Sequence, residues 1–108
     1  MNKTFLTGVD KNFQDLLPWW IDNIRKYDNE THITVADFGM DKNWAEWTKK
    51  NVNTFLVYPS LSKPGKEICS WFYKPNTLIK APYEYKCWID IDCEVLANIS
   101  EIFNYVDG

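Results

Sequence analysis

The pattern that most restricts the fold of this chain is an alternation of short apolar runs with helix-like segments. Runs rich in β-branched and aromatic residues, as expected of buried strands, occupy residues 4–10, 32–37, 54–58 and 85–89. Apolar residues at helical spacing predict helices over residues 13–27, 41–50 and 67–79, with a fourth beginning near residue 98. Connecting helices make neighbouring strands parallel and cover the sheet faces. We therefore predict an α/β fold of Rossmann-like type, with a mostly parallel sheet flanked by helices.

Glycine and proline residues mark where these elements are interrupted. Gly8 is expected to break the first strand. Pro18 lies inside the first helical pattern, so that helix either kinks there or begins near Asp15. Residues 60–66 carry Pro, Gly and Ser without apolar periodicity and are expected to form a loop, and Pro75 disturbs the helix that follows.

Length and charge exclude several classes of function. A chain of 108 residues fits one domain, which we expect to span residues 1–108. The net charge is −3 and no basic run is present, which argues against a nucleic-acid partner. No stretch approaches the roughly 20 apolar residues of a membrane span. The first residues lack the pattern of a secretory signal, so a cytoplasmic location is expected.

The acidic pair Asp90 and Asp92 directly follows the fourth predicted strand. Ligands of open parallel sheets bind beyond the carboxyl ends of the strands, so this is a favoured position for a site. The period of two in an extended chain points both carboxylates to the same side, where they repel each other unless a cation lies between them. Mg²⁺ or Mn²⁺ fits such oxygen ligands, and substrate phosphates complete its shell. The alternative is a chance Asp-X-Asp in a turn or helix cap.

Beyond these patterns, the stretch from Lys74 to Phe103 resembles glycosyltransferases of the GT-A fold, in which an apolar strand ends in Asp-X-Asp. The core of the resemblance is Trp-Ile-Asp-Ile-Asp-Cys-Glu-Val-Leu at residues 88–96. A second likeness lies after the first strand, where Thr7, Gly8, Val9 and Asp10 occupy the position at which such enzymes contact the nucleobase and ribose. Together the two segments extend the likeness over nearly the whole chain.

The resemblance implies a role for each matching residue. Asp92 would coordinate the metal directly, and Asp90 would share the metal or bond the ribose. Lys74 would reach towards the phosphates or the two aspartates, and its alternative role is that of a solvated lysine. Thr7 would lie beside the base. Asp10 would accept a hydrogen bond from the nucleoside or, alternatively, cap the first helix.

The function implied is that of a metal-dependent hexosyltransferase that uses a nucleoside-diphosphate sugar, with a UDP-sugar as the first choice and an acceptor that the sequence does not identify. The chain ends one helix after the motif, so it resembles a minimal or truncated version that transfers the sugar, hydrolyses it or only binds it. Two alternatives stay open: a non-catalytic nucleotide-sugar-binding module, and an interaction domain built on its six tryptophans. A homodimer is compatible with each.

Overall fold

A computed structural model of the protein describes residues 2–58 and 73–105. The strands are β1 (Lys3–Val9), β2 (His32–Asp37), β3 (Thr54–Val57) and β4 (Tyr85–Trp88). The α-helices are α1 (Leu17–Tyr27), α2 (Lys42–Asn51) and α3 (Tyr73–Lys80), and 3-10 helices occupy Gln14–Leu16 and Ser100–Tyr105. The strands form one sheet in the order β3-β2-β1-β4, and every pairing is parallel. The prediction of an α/β fold with a parallel sheet flanked by helices is confirmed.

The core is divided between the two faces of the sheet. On one face the buried side chains of Phe5 and Val35 belong to a cluster that includes Trp20 and Ile24 of α1. Ala36, the next residue along β2, points to the opposite face and belongs to a smaller cluster with Phe38 and Tyr58. Burial on both faces explains why successive residues of β1 and β2, such as Phe5 and Leu6 or Val35 and Ala36, are apolar.

The strand order leaves a crevice at the carboxyl ends of β1 and β4. The chain proceeds outwards from β1 to β2 and β3, and then returns to the other side of β1 as β4. In register, Leu6 of β1 lies opposite Trp88, the last residue of β4. Such a reversal of strand order is where open α/β sheets bind ligands, beyond the carboxyl ends of the strands. The segment after Trp88 therefore enters this crevice.

Gly8 does not break β1, and that expectation was wrong. The strand runs through Gly8, which pairs with Ala36 of β2. A Cβ atom at position 8 would overlap the ring of Phe38, so the absence of a side chain makes room for this ring. Glycine is required at position 8 by packing and not by backbone conformation. Among the described glycines only Gly39 has a positive φ, so the backbone of Gly8 is one that other residues can adopt.

Pro18 and Pro75 lie near helix starts. Pro18 occupies the first turn of α1, where its missing N–H disrupts no helical bond, so of the two alternatives the helix begins late and does not kink at this residue. Pro75 likewise lies near the start of α3. The predicted loop at residues 60–66 and the first part of the helix predicted over 67–79 lie outside the described residues. Within the described part of the chain, none of the helices is both long and apolar enough to cross a bilayer.

The segment predicted as a fourth helix forms a 3-10 helix. The side-chain oxygen of Asn98 accepts a hydrogen bond from the backbone N–H of Ser100 at 2.9 Å, as expected of a residue that precedes a helical turn. Phe103 is buried, and its ring centroid lies 5.4 Å from that of Phe5. Ile102, by contrast, is largely exposed. The contact between Phe103 and Phe5 packs the end of the described chain against β1.

Candidate functional site

A cleft of about 300 Å³ opens at the crevice between the carboxyl ends of β1 and β4. Five of the residues that the sequence assigned to a site line it: Thr7, Gly8, Lys74, Asp90 and Asp92. They come from three elements that are far apart in the sequence, and the reversal of strand order brings them together. The structure therefore places both halves of the predicted site in one cavity.

A tight turn presents the two aspartates. The N–H of Ile89 donates to the carbonyl of Leu6 at 3.0 Å, which carries the pairing of β4 with β1 one residue beyond the strand. The N–H of Cys93 then donates to the carbonyl of Asp90 at 3.0 Å and closes the turn. Ile89 is buried and Ile91 packs against the core, whereas Asp90 and Asp92 are exposed. Both aspartates are therefore exposed as predicted, but the motif lies in a turn and not in an extended chain.

The acidic side chains lie close enough to share a cation. One carboxylate oxygen of Asp90, one of Asp92 and the sulfur of Cys93 all lie within 4.8 Å of one another. Both recorded protein partners of Asp90 approach its Oδ1 atom: the indole N–H of Trp88 donates at 2.6 Å, and the ammonium of Lys74 lies at 4.0 Å. Within residues 2–58 and 73–105, neither Asp90 Oδ2 nor the carboxylate of Asp92 has a hydrogen bond or ion pair. These oxygens are available to a ligand.

The charge of the site is incompletely balanced by the described residues. Lys74 offers one positive charge to the two carboxylates, and its side chain is 43% exposed. An ion pair at this distance and exposure contributes little, because water screens both groups. The excess negative charge and the free oxygens together satisfy what a hard divalent cation requires of its protein ligands. The residues present therefore fit a magnesium- or manganese-type ion.

The rings of Phe38 and Trp88 pack against each other beside Asp90. The indole of Trp88 lies nearly parallel to the ring of Phe38, at an interplanar angle of 16° and a centroid distance of 6.4 Å. Phe38 packs over Gly8, and the ammonium of Lys74 lies 5.1 Å from the centre of the Trp88 ring. Because the same indole donates to Asp90, the position of this carboxylate depends on packing that begins at Gly8.

Thr7 contributes an unsatisfied hydroxyl. It is fully buried and lines the cleft, and its Oγ1 atom has no hydrogen-bond partner among the described residues. Leaving a buried hydroxyl unpaired costs about 1–3 kcal/mol, so such a group usually indicates a missing partner or a strained site. The Oγ1 atom itself is not accessible from the cleft, so a ligand would bond it only after a local rearrangement.

Val9 and Asp10 do not line the cleft. The side chain of Val9 is buried in the core, while its carbonyl accepts a hydrogen bond from the N–H of Phe38 at 2.8 Å. The carboxylate of Asp10 accepts a hydrogen bond from the N–H of Asn12 at 2.9 Å, in the turn that precedes the Gln14–Leu16 helix. Of the two roles expected for Asp10, this hydrogen bond to a nearby backbone N–H resembles helix capping and not nucleoside binding.

The sequence did not predict four apolar residues of the cleft, three of which are aromatic. Phe13, Phe38, Trp88 and Ile91 also line it. Trp88 precedes Asp90 by two residues, so its place on the same side of the strand was readable from the sequence. Phe38 directly follows β2 at the ligand-binding edge, but its position over Gly8 depends on strand order. Phe13 carries no such signal, because it belongs to a connecting turn.

Comparison with known proteins adds no assignment. No protein-family model matches the sequence, and no curated protein matches it.

Proposed function

We propose that the protein binds a nucleoside-diphosphate sugar, with UDP-hexose as the first choice, through Mg²⁺ or Mn²⁺ held by Asp90 and Asp92, and that it acts as a glycosyltransferase or sugar-nucleotide hydrolase. The observation that carries the proposal is the pair of adjacent, exposed carboxylates at the reversal of strand order. An α/β sheet binds ligands at this position, and a cation there would offset the repulsion between the two carboxylates.

The donor set favours a diphosphate as the second ligand of the cation. Two carboxylates leave most of an octahedral shell to be filled, and magnesium-type ions complete it with waters and substrate phosphates. When bound, the cation would stabilise the negative charge that develops on a departing nucleoside diphosphate. Lys74 lines the same cleft and would add a positive charge beside the phosphates.

The other residues of the cleft have supporting roles in this proposal. Trp88 donates to one oxygen of Asp90 and so leaves the other to face the cation, as outer hydrogen-bond partners of metal ligands commonly do. Thr7 lines the cleft and would lie beside the base. Phe13 and Phe38 form apolar walls that would exclude water around the bound diphosphate.

Calorimetry with UDP tests the metal role. We expect UDP to bind in the presence of Mn²⁺ and to bind at least about tenfold more weakly in EDTA, a difference of about 1.4 kcal/mol. Asp92→Asn keeps the side-chain shape but removes the charge, and it should lose the Mn²⁺-dependent part. Glu94→Gln is the matched control, because Glu94 is exposed and does not line the cleft. Equal affinity of the unmutated protein with Mn²⁺ and with EDTA would reject the proposed metal role.

A turnover assay separates an enzyme from a binding module. The protein is incubated with UDP-glucose or UDP-galactose and Mn²⁺, and released UDP is measured against buffer and against Asp92→Asn. Release that depends on Asp92 supports catalysis. Normal binding without release assigns the protein to the non-catalytic class.

A second candidate function rests on a separate apolar groove. Pro18 and the partly buried Trp44 and Trp47 line a cavity of about 200 Å³ together with Asn43. This groove is the observation that favours an interaction domain, since exposed aromatic surfaces are common in partner interfaces. The two roles are separable, because Trp44→Ala should leave Mn²⁺-dependent UDP binding unchanged.

A further inference from the structure

The tryptophan groove, formed by Pro18 of α1 and by Asn43, Trp44 and Trp47 of α2, is lined by uncharged residues alone. Four of the ten residues of α2 are lysine or glutamate, but none of these four lines the groove. A charged ligand requires complementary charge from the surface that binds it. The tryptophan groove is therefore suited to a neutral ligand, in contrast to the cleft at the acidic pair.

The size of the tryptophan groove limits what can occupy it. Sites for drug-sized ligands usually measure about 300–1,000 Å³, whereas this groove measures about 200 Å³. A stable protein interface uses about 20–30 residues on each side, far more than the four that line the groove. A proline-rich peptide is extended, at about 3.1 Å per residue, and needs a row of pockets. The groove instead has room for a single ring.

The two indoles of the groove offer apolar ring faces together with polar N–H groups. The ring centroids of Trp44 and Trp47 lie 5.6 Å apart at an interplanar angle of 73°, so the pair packs edge to face and covers only one of the four ring faces. Within residues 2–58 and 73–105, neither indole N–H has a hydrogen-bond partner. The exposed side chain of Asn43 is likewise unpaired there, and its amide can both donate and accept.

The tryptophan groove is held in shape at the carboxyl edge of the sheet. Helices α1 and α2 follow β1 and β2, so both begin at this edge, and Pro18 and Asn43 lie in their first turns. Two hydrogen bonds join the helix starts: Nε2 of the buried Gln14 donates to Oδ2 of Asp41 at 2.7 Å, and the Asp41 N–H donates to Oε1 of Gln14 at 2.8 Å. The spacing of the two helices is therefore fixed, and a ligand finds the groove already formed.

We propose that the tryptophan groove is a carbohydrate-binding site that holds one pyranose ring of a neutral glycan. A pyranose is uncharged and has the size of one ring. Its C–H groups form an apolar face that stacks on an indole, and its hydroxyls pair with the indole N–H groups and with the amide of Asn43. This inference names the class of partner for the second candidate function, and it does not depend on the cation site at Asp90 and Asp92.

Titration of the ¹⁵N-labelled protein with cellobiose, lactose and maltose, followed by NMR, tests this proposal. Each of the six tryptophans gives one indole N–H signal, and single Trp→Phe variants assign those of Trp19, Trp44 and Trp47. We expect at least one disaccharide to shift the signals of Trp44 and Trp47 saturably, with a dissociation constant on the order of 1 mM. The signal of Trp19, which is exposed but does not line the groove, should not shift.

Two substitutions test the residues of the groove. Trp44→Ala should weaken disaccharide binding by at least about fivefold, because a stacking ring is lost, and the matched control Trp19→Ala should leave it unchanged. If Trp44→Ala does not fold, Asn43→Ala at an exposed position provides the test. Its loss of hydrogen bonds should weaken binding by about twofold to tenfold.

Three results would overturn the inference. The first is the lack of a saturable shift with all three disaccharides, and the second is an equal shift with glycerol. The third is a shift produced by decaproline and not by the disaccharides, which would assign the groove to a proline-rich peptide. Mn²⁺-dependent UDP binding, measured on the same samples, separates this inference from the proposed function. UDP binding without disaccharide binding rejects only the carbohydrate site, and the reverse result rejects only the cation site.

Discussion

Replacement of Gly8 by alanine tests the link between the central strand and the cleft. A Cβ atom at position 8 would overlap the ring of Phe38, so the ring or the strand must move in Gly8→Ala. Phe38 is buried and stacks on Trp88, whose indole N–H bonds Asp90. The perturbation therefore begins in the core and is transmitted to the acidic pair.

The magnitude follows from two opposing effects. Overpacking of a well-filled core costs about 1–3 kcal/mol of the free energy of unfolding. Gly8 does not have the positive φ that would exclude alanine, so the backbone itself accepts the change. Without the ring, alanine in a strand is favoured over glycine by about 0.5–1 kcal/mol. The effect of Gly8→Ala should thus change sign in a Phe38→Ala background. Because the gain from alanine applies in both backgrounds, it cancels in the cycle, and the coupling energy equals the overpacking penalty of about 1–3 kcal/mol.

Urea denaturation, followed by tryptophan fluorescence and circular dichroism, measures the four proteins of this cycle. Phe38→Ala alone is expected to cost about 3–5 kcal/mol, so Phe38→Leu, which lacks the distal ring atoms, serves as a milder partner. We expect Gly8→Ala to destabilise the unmutated protein and to be neutral or stabilising in the Phe38→Ala background. An equal penalty in both backgrounds would refute the steric explanation for Gly8.

Two further predictions concern ionisable groups outside the carboxylate pair. Burial raises the pKa of Asp28, but hydrogen bonds from Thr31 and from the Glu30 N–H outweigh the effect of burial, so the pKa is lowered in the folded protein. The charged form of Asp28 therefore stabilises the fold above the unfolded pKa. This stabilisation is lost as the pH falls through the folded pKa. Asp28→Asn should cost about 1–2 kcal/mol at neutral pH and less in acid; urea titrations across pH would contradict this if the penalty were constant. In native protein, iodoacetamide should label the exposed Cys93 faster than Cys87, because burial raises the pKa of the Cys87 thiol. The difference in labelling rate should be lost in urea. Equal rates in the native protein, measured by peptide mass spectrometry, would contradict this difference in exposure.

The strands were the most predictable part of the fold. They are short runs rich in β-branched and aromatic residues, and this composition identifies strands without knowledge of the tertiary structure. The sequence also predicted that Asp90 and Asp92 are exposed, although it assigned them to an extended chain and they lie in a turn. Both predictions depend on local geometry alone, which is why they could be made from the sequence.

The role of Gly8 was not predictable in the same way. A glycine inside a strand usually indicates a break or a bulge, and only the placement of Phe38 over this position shows that it makes room for a ring. The contact between Phe38 and Trp88 was also not predictable from the sequence. Phe38 follows β2 and Trp88 ends β4, and the two rings meet because these strands lie on either side of β1 in the sheet. Contacts of this kind depend on strand order, which the pattern of apolar residues does not specify.

The arrangement at the end of β4 shows how the core and the site share the same residues. Ile89 and Ile91 face the interior and fix the turn, so the carboxylates between and beyond them remain exposed. Trp88 serves both purposes, because its ring packs on Phe38 while its N–H holds Asp90. We therefore expect substitutions of Phe38 or Trp88 to affect stability and ligand binding together.

The most direct test of the central proposal is a crystal grown with Mn²⁺ and UDP, in which anomalous scattering locates the manganese. The account predicts one strong peak within roughly 2.0–2.6 Å of carboxylate oxygens of Asp90 and Asp92, with the pyrophosphate on its other side. UDP bound in the cleft without manganese beside these residues, or manganese bound elsewhere, would contradict it.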